Sequence, residues 1–278
     1  MSDRTTNKIS SSVCAVFGMV LFGVAIGLGA APGRLDPTFS GDGRLTDWPG
    51  ARFARGVAIQ PDGKIVIVGS YRFAPEQRDF RIARYNPDGS PDLSFGGGAG
   101  RVTTDFGGND DSQRVAIQPD GKILVVGVSE ENTLTHGSVA LARYNQDGSL
   151  DTSFGDGSGK VLTLAPCWYA FYGAGSDIAL RPDGKIVAAL GLGTDENCDT
   201  EGLLLRYNSN GILDASFGRG GLVTTRYGLW SVALQPADGK IVTGRFDRIF
   251  RFNPNGSRDT TFGSSGMAML PEGYSSSR

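Results

Sequence analysis

Short apolar runs alternate with Gly-rich polar corners along most of this chain. In one stretch Arg114-Val115-Ala116-Ile117 precedes Gln118-Pro119-Asp120-Gly121-Lys122, and Ile123-Leu124-Val125-Val126-Gly127 follows it. Two apolar runs around Pro-Asp-Gly predict a β-hairpin, because Pro presets φ and Gly takes the positive φ of a tight turn. The same hairpin recurs at 57–68, 178–187 and 232–242, the last with Ala237 inserted. The turn aspartates are Asp62, Asp120, Asp183 and Asp238, so successive steps are 58, 63 and 55 residues. Spacing this regular predicts a repeat architecture.

Each repeat opens with Asp-x-Ser/Thr-Phe: Asp36 to Phe39, Asp92 to Phe95, Asp151 to Phe154, Asp214 to Phe217 and Asp259 to Phe262. Asp and Ser/Thr two apart bond the local backbone and fix a turn. The Phe reads as a plug between neighbouring units. A first strand follows, as in Arg101-Val102-Thr103-Thr104, then the hairpin, then a fourth strand such as Leu141-Ala142-Arg143-Tyr144. Four short strands per unit predict a propeller blade. The unbroken run Ile65-Val66-Ile67-Val68 predicts burial on both faces, as in a blade stacked between two others. The expected fold is all-β and β-propeller-like. It has four blades of four antiparallel strands, repeats near 35–90, 91–149, 150–212 and 213–257, and the first strand of a fifth repeat within 258–270. Closure of the ring is left undecided, and that fifth first strand is surplus.

The Asp-x-Ser-Phe-Gly opening, the Pro-Asp-Gly-Lys hairpin and the Arg-Tyr-Asn-x-Asp-Gly close recur in order from about Leu35 to Leu270. In this the chain resembles the delta-60 repeat family of bacterial proteins. The resemblance implies a β-propeller and an exported location, and no established activity.

Before residue 31 the pattern changes. Arg4 and Lys8 precede an apolar stretch from Val13 to Ala31 that ends in small residues. This is the layout of a secretory signal peptide over 1–30, with an uncleaved membrane anchor as the alternative. The remainder, 31–278, reads as one repeat domain, exported to the periplasm, the cell surface or the medium. It keeps Cys167 and Cys198, which fall in neighbouring loops of the third repeat; in an oxidising compartment they are expected to form a disulfide. The 42 glycines sit at corners between β-like runs, so they mark turns rather than disorder. A net charge of −2 without a basic stripe argues against a nucleic-acid partner. With His136 as the single histidine, a His-based metal or acid–base site is not expected.

Function is expected on the face where the loops vary, since binding residues sit on loops held by a rigid scaffold. Trp48, Tyr71, Trp168, Tyr169, Tyr172 and Trp230 lie there, suited either to a glycan or protein ligand or to a minor core at the blade ends. Asp195, Asn197, Asp199 and Glu201 alternate as Ca²⁺ ligands do, but without the Gly and distal Glu of an EF-hand; a solvated acidic loop competes with that reading, and no other cofactor is expected. No Ser/His/Asp set or phosphate loop is present. Carboxylate pairs on this face, such as Asp110 with Asp111 or Glu130 with Glu131, could serve glycoside chemistry, though any acidic loop would look the same. Three functions follow: a non-catalytic binding propeller first, then a structural surface module, then a carbohydrate-active enzyme.

Overall fold

In a computed structural model of the chain the described residues are 33–46, 51–74, 77–130, 137–165, 176–192 and 202–270. Sixteen β-strands supply their regular structure, with no helix among them, and hence none long and apolar enough to cross a membrane. The first sheet contains β1 (Ala51–Ile59), β2 (Ile65–Ala74), β3 (Gln77–Tyr85) and β4 (Arg101–Thr104). The second contains β5 (Asn109–Ile117), β6 (Ile123–Glu130), β7 (Gly137–Tyr144) and β8 (Lys160–Leu164). The third contains β9 (Ser176–Leu180), β10 (Ile186–Gly191), β11 (Gly202–Tyr207) and β12 (Leu222–Thr225). The fourth contains β13 (Ser231–Leu234), β14 (Ile241–Arg245), β15 (Arg248–Phe252) and β16 (Met267–Met269). Each is an antiparallel meander in chain order.

The hairpins form where the apolar pattern places them. Ile117 pairs with Ile123, the Gln118 amide donates to the Lys122 carbonyl at 2.8 Å, and Gly121 takes φ 81°. The inserted Ala237 is absorbed by a longer turn that leaves Leu234 opposite Ile241, so the side chains keep their faces.

Successive side chains of a strand point to opposite faces. Ile123 and Val125 therefore pack on the first sheet with Val66, Val68 and Ile82, while Leu124, Val126 and Val128 pack on the third with Ile186, Ala188 and Leu190. This is why β6 is apolar without alternation. A third core joins Val187, Ala189 and Leu204 to Ile241, Phe250 and Phe252 of the fourth sheet. Each fully buried Val, Leu or Phe contributes roughly 1.5–3 kcal/mol, so these layers hold the sheets together.

The Asp-x-Ser/Thr-Phe element is a clamp. Asp151 Oδ1 accepts from the Ser153 amide at 3.0 Å and the Ser153 hydroxyl at 2.7 Å. Its Oδ2 takes Arg143 Nε at 2.6 Å and Lys122 Nζ at 2.9 Å. The Arg143 guanidinium lies over the Phe154 ring at 4.5 Å and donates to the Ser209 carbonyl of the next sheet at 2.5 Å. Phe154 rests on Gly211, whose φ of 87° and 2.8 Å clearance leave no room for a Cβ. The plug expected at this position is present.

The assignment of strands to blades differs from the sequence reading in one respect. The Asp-x-Ser/Thr-Phe clamp does not open a blade; it turns the chain back, so each sheet takes its outer strand from the next repeat. The fifth first strand is therefore not surplus: as β16 it pairs with β15 and completes the fourth sheet. The unpaired copy is at the other end, where Arg44 to Thr46 lies outside any strand. Among the described residues the ring is open, for the fourth sheet makes no contact with the first comparable to those between successive sheets.

Candidate active site

The hairpin β2–β3 and the link from β4 to β5 meet on the variable face, where the first and second sheets adjoin. Much of what reads as loop there is strand, since β2 reaches Ala74 and β5 begins at Asn109. Asp79 lies near the start of β3, Asp105 just beyond β4 and Asp110 near the start of β5. One carboxylate oxygen of each lies within 4.8 Å of those of the other two.

Strand alternation then divides the charges. Arg78 and Asp79 are neighbours on β3, and Asp110 and Asp111 are neighbours on β5. Arg78 Nη1 pairs with Asp111 Oδ2 at 2.7 Å, the Ser70 hydroxyl donates to Asp111 Oδ1, and Arg78 Nη2 lies 3.9 Å from Glu130. The guanidinium beside Asp79 is thus taken up on the other face. Asp110 and Asp111 do not form a working pair, contrary to the sequence reading, because adjacent strand residues face opposite ways. Glu131, the partner expected for Glu130, lies outside the described residues.

On the Asp79 face the carboxylates have little to neutralise them. Burial, and then the charges of Asp105 and Asp110, push the Asp79 carboxyl up to about 6. Burial also raises Asp110, against hydrogen bonds from Ser129 and the Phe106 amide, the latter at 2.6 Å. Asp110 is fully buried, and its Oδ1 has no hydrogen-bond partner. Asp105 is exposed, its Oδ1 held by the Gly107 amide at 2.6 Å. Lys160 is the nearby cation, 2.9 Å from the Asp105 carbonyl and over the Phe106 ring. The site is therefore one carboxyl raised to about 6, one exposed acid and one buried acid behind them whose carboxyl is also raised. Three such oxygens also form a donor set for a hard divalent cation.

Of the aromatic candidates, two fall in described residues. Tyr71 is half-buried under Arg81, whose guanidinium is 4.7 Å from the ring centre. Trp230 packs edge-on against Phe246 at 4.4 Å, with Arg245 at 5.0 Å. Tyr71 stands directly opposite Asp79 in the β2–β3 pairing, whereas Trp230 lies beside β13 of the fourth sheet, away from the first. Trp48, Trp168, Tyr169 and Tyr172, the alternating set Asp195, Asn197, Asp199 and Glu201, and Cys167 with Cys198 lie outside the described residues. Asp79 and Asp105 were missed as site residues. Both stand at the edges of variable segments of different repeats, and only the adjacency of those segments singles them out.

Fold and repeats define a β-propeller-repeat protein. The model of the family described as "Domain of unknown function (DUF5122) beta-propeller" matches residues 60–95, 118–154, 181–217 and 237–262, one match per hairpin and clamp. No curated protein matches the chain. Among solved structures it is similar to a glucose dehydrogenase, at 15% identity over 80% of this chain and 71% of that one, with a TM-score of 0.47. It is similar to a gluconolactonase of Xanthomonas campestris, at 14% identity over 79% of this chain and 63% of that one, with a TM-score of 0.40. It is also similar to an endo-arabinase of Bacteroides thetaiotaomicron, at 14% identity over 77% and 72%, with a TM-score of 0.40. These likenesses are of fold. The expectation of a non-catalytic binding propeller is corrected here in favour of its carbohydrate-active alternative, since these three carry enzyme names; a further similar structure is a protein of unknown function from Dyadobacter fermentans.

Proposed function

We propose that the chain is a carbohydrate-active enzyme of the two-carboxylate kind, with Asp79 as general acid and Asp105 as nucleophile. The observation that carries this is the Asp79 carboxyl, held protonated up to about pH 6 beside an exposed carboxylate. Glycoside cleavage needs such a pair: one acid to protonate the leaving oxygen, one carboxylate to attack the anomeric carbon. Close spacing, with carboxyl groups about 5–5.5 Å apart, goes with retention of configuration; a water-activating arrangement needs more room. Asp110 is too buried to reach a substrate. Its charge helps keep the proton on Asp79, which makes it a positioning residue.

Aromatic rings stack on sugar faces, so Tyr71, which stands opposite Asp79 in the β2–β3 pairing, is proposed as a substrate contact beside the acids, and Trp48, Trp168, Tyr169, Tyr172 and Trp230 as further ligand-binding residues. Membership of the delta-60 repeat family, export to the periplasm, cell surface or medium, and a Ca²⁺ ion on Asp195, Asn197, Asp199 and Glu201 belong to the same proposal. The test is release of reducing ends from a panel of plant and bacterial polysaccharides. The wild-type protein should cleave at least one, and Asp79→Asn should lose about 10²–10⁴-fold in rate, the usual loss with a general acid. No cleavage across the panel, or full activity in Asp79→Asn, overturns the proposal.

A further inference from the structure

One pattern joins successive sheets three times. An Arg on the third strand of one sheet donates to a carbonyl in the Asn-x-Asp/Asn-Gly turn of the next: Arg84 to Gln146 at 2.5 Å, Arg143 to Ser209 at 2.5 Å, and Arg206 to Pro254. The amide after the plug Phe reaches the same turn: Gly96 to Asp147, Gly155 to Asn210, and Gly218 to Asn255, at 2.7–2.8 Å. Beneath these contacts the inner strands pack, Val115 and Ile117, Ile178 and Leu180, Val232 and Leu234, each against the sheet before it.

The two ends of the arc carry the two halves of this interface. At the tail, Arg251, Asp259 and Phe262 repeat the clamp, with Arg251 Nε on Asp259 at 2.7 Å and its guanidinium over Phe262 at 4.6 Å. Among the described residues, however, no turn of a following sheet meets it. The Arg251 side chain is 20% exposed, where Arg84, Arg143 and Arg206 are 6–8% exposed. Val242 and Ile249 are half-buried on the same outer face, at the places that Leu124 and Leu141 bury completely in the second sheet. At the head, Val57 and Ile59 occupy the places of Val115 and Ile117, yet they are 66% and 70% exposed, with Phe53 also exposed beside them. Among the described residues, that face has no preceding sheet.

We propose that a second copy of this chain docks head to tail, the outer face of its β13–β16 sheet on the β1–β4 sheet of the first. The docking continues an interface that the chain already builds three times within itself. Two copies supply eight blades, within the range of about 4–8 in which propellers close and bury their edges. The head socket is held by a spare plug: Phe39 rests on Gly89, and the Ser40 amide donates to the Asp88 carbonyl at 2.7 Å. This plug is the weaker of the two. The Asp36 carboxylate bonds only Thr38 of its own turn among the described residues, whereas that of Asp259 also holds Lys240 and Arg251, and β16 is paired in a sheet. Docking therefore lets Phe262 take the place of Phe39. The inference does not depend on the catalytic proposal.

The test is the molar mass of the purified protein by light scattering across a concentration series. The wild-type protein should associate into two-chain particles, and Phe39→Ala should shift the midpoint to lower concentration. Val57→Lys with Ile59→Lys should block the head, and Ile249→Lys the tail; Val242→Lys serves if the Ile249 variant does not fold. Each blocked variant alone should be a monomer with an unchanged β-sheet spectrum. Their equimolar mixture should give two-chain particles and nothing larger, because one good head and one good tail remain. A wild-type monomer at every concentration overturns the proposal, as does association untouched by the head variant, or a tail variant that still pairs alone.

Discussion

At the scale of the residue, one side chain type does most to join the sheets. Arg143 is buried and meets an aspartate, an aromatic face and a carbonyl of the next sheet at once. Lys has no planar fork for that geometry, so Arg143→Lys should lower stability by about 2 kcal/mol, mostly through the unmet Ser209 carbonyl. Thermal denaturation checks it, and an unchanged midpoint would show that the clamp is ornamental. The Phe plugs were legible in the sequence because they recur with their Asp and Ser partners. Asp79 was not legible. Its significance comes from a proton held by burial and by two carboxylates of other segments, and no local motif records a through-space charge.

At the scale of the element, the four clamp aspartates set the response to acid. For Asp92 and Asp151, burial raises the carboxyl pKa, but the bonds from Lys64, Ser94 and Arg84, or from Lys122, Ser153 and Arg143, outweigh it and hold both below the usual value. Lys185 and Ser216 hold Asp214 down, and Thr261, with Lys240 and Arg251, holds Asp259 down. A carboxylate lowered in the folded state contributes stability above its unfolded pKa and loses it as pH falls through the folded one. The melting temperature should therefore hold above about pH 5 and fall as pH drops through and below the ordinary carboxylate value of 3.8. Asp151→Asn should melt lower at neutral pH and lose part of that acid drop; an acid limb of full size in Asp151→Asn would mean that the clamps do not set it. On the third blade, a Cys167–Cys198 bond would close a loop of about 30 residues and stabilise by roughly 3–4 kcal/mol on the chain-entropy estimate. Thiol titration of the denatured, unreduced protein should find neither cysteine free, and two free thiols would reject the bond.

At the scale of the whole molecule, the period of the hairpins carried the fold, because each repeat buries its apolar strands on two neighbours. The grouping of strands into sheets was not carried by that period. A repeat read from its most obvious motif begins at the clamp, whereas the sheet begins one strand later, so the spare strand was expected at the wrong end. Ring closure was likewise not written in any repeat; it depends on whether the exposed Val57 and Ile59 meet a partner. The adjacency of the first and second sheets also makes the site, by setting Asp79 beside Asp105 and Asp110 while Arg78 is drawn off to Asp111. The most direct measurement of that account is the pH dependence of polysaccharide cleavage. The rate should fall as pH rises through about 6, where Asp79 gives up its proton, and the limb should vanish with the activity in Asp79→Asn. A rate that is level from pH 4 to about 8, or the same limb in Asp79→Asn, would contradict it.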